Sequence, residues 1–109
     1  MIRSKTANLY EMMEFPSEGV FSKVVARGGM SNHTLMCLAK GTDISEHTSS
    51  REGTVTVLKG TGTFVLNGKK IRMEPGVCII MPAKAPHALR ADEDLAFLLS
   101  LSGKESKRG

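Results

Sequence analysis

Residues 54–81 read TVTVLKGTGTFVLNGKKIRMEPGVCIIM, and this stretch decides the fold. Thr54–Lys59 is dense in β-branched residues and stops at Gly60-Thr61-Gly62, the pattern of a strand closed by a turn. Thr63–Leu66 follows, and then Asn67-Gly68, the strongest two-residue signal for a β-hairpin. In the return strand Lys69–Met73, Ile71 and Met73 share one face while Lys70 and Arg72 take the other. Pro75-Gly76 then turns the chain into Val77–Met81. Upstream, Ser22–Arg27 stops at Gly28-Gly29 and His33–Lys40 stops at Gly41. Downstream, Pro82 and Pro86 bracket a loop before the strands His87–Ala91 and Leu95–Leu101. Only Asn8–Phe15 offers room for a turn or two of helix. Many short strands with turns at near-regular spacing make an all-β sandwich or barrel.

The chain has 109 residues, the size of one domain. Its core is expected over about residues 20–102, with loose ends at 1–9 and 103–109. Hydrophobic residues make up 40%, which excludes wholesale disorder. The longest apolar runs, Val77–Met81 and Leu95–Leu99, are too short to span a bilayer, and the N-terminus carries no secretory pattern. A cytoplasmic protein with no membrane partner is expected. Cys37 and Cys78 both sit in apolar stretches and read as buried free thiols; a disulfide between them requires neighbouring strands. The formal charge of +4 hints at nucleic acid. Its excess, however, sits at the ends, in Arg3, Lys5, Lys104, Lys107 and Arg108, while the body between is balanced. With no Trp and a single Tyr, no base-stacking surface is expected, and no nucleic-acid partner. Phosphate-loop, dinucleotide and nucleophile-elbow motifs are absent. VCIIM and LAFLLSL are apolar on both faces, so the outer face must meet a second sheet or a second copy. A homodimer through one sheet face, with exchange of N-terminal strands, is the expectation.

Two stretches match a known pattern. Gly41-x5-His47, running on to Gly60, resembles the first motif of the cupin superfamily, G-x5-H-x-H-x3,4-E-x6-G. Gly76-x5-Pro82-x4-His87 resembles the second, G-x5-P-x-G-x2-H-x3-N. The resemblance implies a small conserved-barrel cupin, a double-stranded β-helix of two antiparallel sheets with a jelly-roll path. It also implies that His47 and His87 point inward from neighbouring strands and can share one ion. The departures are at Ser49, where the second His would stand, and at Gly53, where the Glu would stand. Lys84 replaces the motif glycine and Ala91 the terminal Asn.

Two imidazoles hold a divalent ion weakly, because structural and catalytic sites use three or four protein ligands. His47 and His87 therefore read either as ligands of a weakly held Fe, Mn, Ni or Zn, or as pocket histidines bonded to each other or to a ligand. Glu52 is one residue out of register, Glu46 should point away from His47, and Asp43 shares its face only in an extended segment. His33 reads as an ordinary strand-end residue that could also face inward. HTSSRE, residues 47–52, lies at the barrel mouth in the cupin reading. There Ser49 and the planar fork of Arg51 suit a carboxylate, with Met81 near the pocket and Lys84 adding charge. The alternative is a solvated loop in which Arg51 pairs with Glu52 or Glu46. Three functions follow: a cupin binding a small polar or carboxylate metabolite over a degenerate metal centre; a metal-dependent dioxygenase, isomerase or sugar-acid lyase; or a structural, partner-binding barrel.

Overall fold

The computed structural model describes residues 4–103; of the ends expected to be loose, 1–9 and 103–109, residues 1–3 and 104–109 lie outside the described residues. Among the described residues a single short helix, α1 (Leu9–Met12), precedes nine strands: β1 (Val20–Arg27), β2 (Ser31–Leu38), β3 (Asp43–His47), β4 (Gly53–Lys59), β5 (Gly62–Leu66), β6 (Lys69–Met73), β7 (Cys78–Met81), β8 (His87–Ala91) and β9 (Leu95–Ser102). They form two antiparallel sheets, ordered β1-β2-β9-β4-β7 and β3-β8-β5-β6. This is the jelly-roll barrel of two sheets that the motif resemblance implies. Asn67, at φ 51°, and Gly68, at φ 78°, make the expected tight turn between β5 and β6.

Sequence reading did not mark β3 as a strand. DISEH offers only Ile44 as an apolar residue, and all its other side chains are exposed. It is a sheet edge, recruited by pairing with β8 rather than by its own propensity.

The main core lies between the sheets. Leu38, Val55, Val57, Ile79, Leu95 and Phe97 from one sheet meet Phe64, Met73, Leu89 and Ala91 from the other. Period-two alternation sets the opposite residues of β2 and β9 on the outer face. There Leu35, Cys37 and Ala96 form a second cluster, packed under Met12, Met13 and Phe15. The chain's own N-terminal segment thus covers this face, where a second sheet or subunit was expected. Asn8 caps α1, its side chain accepting from the backbone N–H groups of Tyr10 and Glu11.

The expectation of two buried thiols is half corrected. Cys37 is buried in this outer cluster, whereas Cys78 is exposed on the edge strand β7. β2 and β7 are separated by β9 and β4, so the two sulfurs are too far apart for a disulfide. No helix among the described residues is long and apolar enough to cross a membrane.

Gly60 closes β4 at φ +84°, and a Cβ there would run into the Asp94 carbonyl oxygen. Gly29 has no such φ and open space around it. Gly60→Ala is therefore expected to lower the unfolding free energy by more than about 2 kcal/mol, and Gly29→Ala to change it by less than about 1 kcal/mol. Urea denaturation of both variants measures this; equal effects would contradict it.

Candidate functional site

β3 and β8 pair irregularly. Ile44 faces Leu89 and His47 faces His87, so two residues, Ser45 and Glu46, stand opposite Ala88 alone. This bulge turns His47 to the same side as Ile44. Both line the barrel cavity with His87 and Leu89. On the other side of the strand, Asp43 pairs with Arg90 at 2.7 Å, which answers the question of its face: it is not available to the cavity. Glu46 and Glu52 are exposed and do not line the cavity either.

The cavity holds about 200 Å³ and is lined, besides His47 and His87, by Met36, Ile44, Val55, Phe64, Met81 and three further apolar residues, Leu89, Phe97 and Leu99. Larger hollows of about 490 and 440 Å³ are open surface grooves without a histidine. The imidazoles of His47 and His87 are 4.2 Å apart between ring centres and inclined at 62°. His87 is buried, with 8% of its surface exposed, and lies parallel to the Phe64 ring at 5.9 Å. His47 is exposed and forms the open end.

The hydrogen bonds of the two rings set their chemistry. His47 Nδ1 donates to the Ser45 carbonyl at 2.9 Å, and His87 Nδ1 donates to the Ala85 carbonyl at 3.0 Å. A carbonyl can only accept, so each neutral ring carries its proton on Nδ1 and its lone pair on Nε2. Backbone carbonyls commonly orient metal-bound histidines in this way. The bulge does double service, because the Ser45 carbonyl that fixes the His47 ring belongs to it.

The remaining site candidates are distributed differently. Met81 lines the cavity; Ser49 and Arg51 do not. The Ser49 hydroxyl accepts from the Arg51 backbone N–H at 3.1 Å, and its carbonyl accepts from the Lys84 N–H at 2.7 Å. Ser49 therefore ties the loop after β3 to the loop before β8. Arg51 forms no ion pair with Glu46 or Glu52; its Nη2 donates to the Gly103 carbonyl at 2.9 Å. Lys84 is exposed and sits at φ 67°, a left-handed conformation that the motif glycine at this position would adopt without strain. His33 lies on the outer face of the large sheet, its Nδ1 2.9 Å from the Ser100 hydroxyl, not in the barrel.

Sequence reasoning missed the apolar wall made by Ile44, Phe64, Leu89 and Phe97. The alternation in β5, counted back from the Asn67-Gly68 turn, is the signal that places Phe64 inward.

Among the described residues there is no group of three or more His, Cys, Asp or Glu side chains able to hold a metal. The donor set fits a divalent transition ion as a pair of imidazoles and supplies no third protein ligand.

Fold and site together define a small barrel with a histidine pair at its mouth. The cupin-domain family model matches residues 34–101, and the chain belongs to that family. No curated protein matches it. Among solved structures it is similar to a conserved protein of unknown function, SPY1581, from Streptococcus pyogenes, with 28% identity over 95% of this chain and 91% of that one, TM-score 0.83. It is also similar to a cupin 2 conserved barrel domain protein from Leptotrichia buccalis, with 31% identity over 88% of this chain and 47% of that one, TM-score 0.82. A DMSP lyase from Ruegeria pomeroyi shares the fold at 18% identity, over 78% of this chain and 47% of that one, TM-score 0.72. The fold thus serves enzymes and proteins of unknown function alike, and chemistry has to be argued from the site.

Proposed function

We propose that this cupin binds a small carboxylate metabolite in the barrel, with an apolar body against Phe64, Met81 and Phe97 and its oxygen atoms toward a divalent transition ion that His47 and His87 would hold through Nε2, since a carboxylate and an unprotonated Nε2 can both only accept. The observation that carries the reading is the pair of Nε2 lone pairs at the end of a cavity with no other polar lining. An apolar cavity of about 150 Å³ accepts benzene, so the 200 Å³ here suits a body of that size. The lining narrows the class of ligand expected from sequence: a wholly polar metabolite would leave its groups without partners.

The same pair would hold a divalent transition ion, weakly, because the protein offers two ligands where three or four are usual. A bound ion would supply Lewis acidity and open positions for the ligand's oxygen atoms. His47 and His87 would hold it through Nε2, and the carbonyls of Ser45 and Ala85 would keep both rings oriented. The runner-up, a metal-dependent enzyme, has no observation of its own in its favour.

Calorimetric titration of tag-free protein with Ni(II) tests this. His47→Ala and His87→Ala are each expected to weaken binding at least about tenfold, and His33→Ala to leave it unchanged. Benzoate, used as the carboxylate probe, should then bind more tightly to the Ni(II)-loaded protein than to chelator-treated protein. Metal binding that depends on His33 alone, or benzoate binding indifferent to the metal, would contradict the reading.

The homodimer stands as a second part of the proposal, resting on a smaller surface than the sequence suggested. Ile80, 65% exposed, and Cys78 leave an apolar strip on β7, beyond the reach of the N-terminal cover. Sedimentation at micromolar concentration should show two copies, and Ile80→Lys should shift the protein to monomer. A monomer in the wild type would remove this part.

A further inference from the structure

Two methionines, Met36 and Met81, line the same cavity of about 200 Å³ as His47 and His87. Met36 comes from β2, opposite Phe97 of β9, and Met81 from the end of β7. Gly53 stands directly opposite Met81 on β4 and adds no side chain at that level of the wall. Met73, by contrast, is fully buried between the sheets, and Met12 and Met13 cover the outer cluster. Met36 and Met81 border a hollow that opens at His47. A thioether sits on an unbranched stem with three rotatable bonds, so its sulfur can turn toward an ion in such a hollow.

The cavity therefore offers two imidazole Nε2 atoms and two thioether sulfurs, and none of the four carries charge. Among the described residues no carboxylate and no thiol lines it. Asp43 is paired with Arg90, Cys37 lies in the outer cluster, and Cys78 is on the exposed edge strand. The cost of taking an ion out of water grows with the square of its charge. A monovalent ion thus enters this apolar wall at about a quarter of the cost of a divalent ion of similar size. Imidazole accepts copper, zinc, iron and nickel alike, but thioether sulfur is a soft ligand that selects Cu(I). Cu(I) has a filled d shell, as Zn(II) has, and so imposes no geometry of its own.

We propose that the barrel cavity binds Cu(I), held by Nε2 of His47 and of His87 and by the thioether sulfurs of Met36 and Met81. The inference rests on the histidine pair of the function proposed above and adds two ligands to it. The methionines set which ion the pair prefers. A divalent ion of the harder kind engages the imidazoles alone and is held weakly, whereas Cu(I) engages all four donors. Its binding needs no carboxylate ligand.

The test is anaerobic titration of tag-free Cys78→Ser protein with Cu(I), in competition with the chromogenic chelator bicinchoninate; this background removes the exposed thiol. Cu(I) should bind at least about tenfold more tightly than Ni(II). Leucine replaces methionine at nearly constant volume, so Met36→Leu with Met81→Leu keeps the wall and removes both sulfurs. This double variant should lose Cu(I) affinity about tenfold or more and keep its Ni(II) affinity, while His47→Ala should weaken both ions. X-ray absorption at the copper edge should show sulfur around the metal in the Cys78→Ser protein and none once both methionines are replaced. Unchanged Cu(I) affinity in the double variant, or copper surrounded only by nitrogen and oxygen, would overturn the inference and leave the Ni(II) reading standing. An equal fall in Ni(II) affinity would show that the methionines act only by shaping the cavity, and would overturn it too. Failure of the earlier reading shows separately, as Ni(II) binding that ignores both histidines.

Discussion

In a strand of regular period, Ile44 and Glu46 would share the inner face and His47 would turn to solvent. One extra residue between Ile44 and His47 reverses this. It brings His47 opposite His87 and points the Ser45 carbonyl at the His47 ring, while Asp43, ahead of the bulge, faces outward to Arg90 by ordinary alternation. Every chemical property argued for the barrel depends on that irregularity. Without it the cavity would hold one buried histidine, and a carboxylate would stand where the second imidazole now stands. Edge strands tolerate such bulges readily, because only one neighbour has to adjust. β3 is such an edge.

The cavity wall behind the pair is apolar, while His47 itself stands at the open end. Phe64 lies parallel to the His87 ring, and the remaining wall is aliphatic, aromatic or thioether. Low polarity strengthens any interaction the two Nε2 atoms make and leaves no competing side-chain donor within the cavity. Polar side chains that sequence placed at the mouth serve elsewhere. The Ser49 hydroxyl folds its own loop, and Arg51 reaches Gly103 on the side of the β1–β2 turn. Separation of the two polar regions gives the molecule two hollows of different character: one apolar with two histidines at its end, the other lined by Arg27, Asn32 and Arg51.

Most strands were legible because their signals are local. Asn67-Gly68 specifies a hairpin, Gly60 and Gly76 stand at positive φ, and the alternation in Lys69–Met73 shows which face is wet. The motif spacing around His47 and His87 was legible as well. β3 was not, since DISEH lacks the apolar alternation that marks a strand. A bulge leaves no trace in a sequence of this kind: inserting one residue in an edge strand changes no composition and no turn. The outer cluster was half legible. The apolar run in β9 showed that a second face is buried, but the cover, Met12, Met13 and Phe15, lies more than 80 residues away along the chain. Cys78 was misplaced for a related reason: VCIIM reads as buried on both faces, and only the sheet order makes β7 an edge with its outer face open.

The central claim is that both histidines turn an unprotonated Nε2 into the barrel. Long-range nitrogen–proton correlation NMR of the neutral imidazoles tests it directly. The account predicts the Nδ1–H tautomer at His47 and at His87, with the Nε2 resonances of these two rings, and not of His33, shifting when Zn(II) is added. An Nε2–H tautomer at either ring, or a response to zinc led by His33, would contradict it.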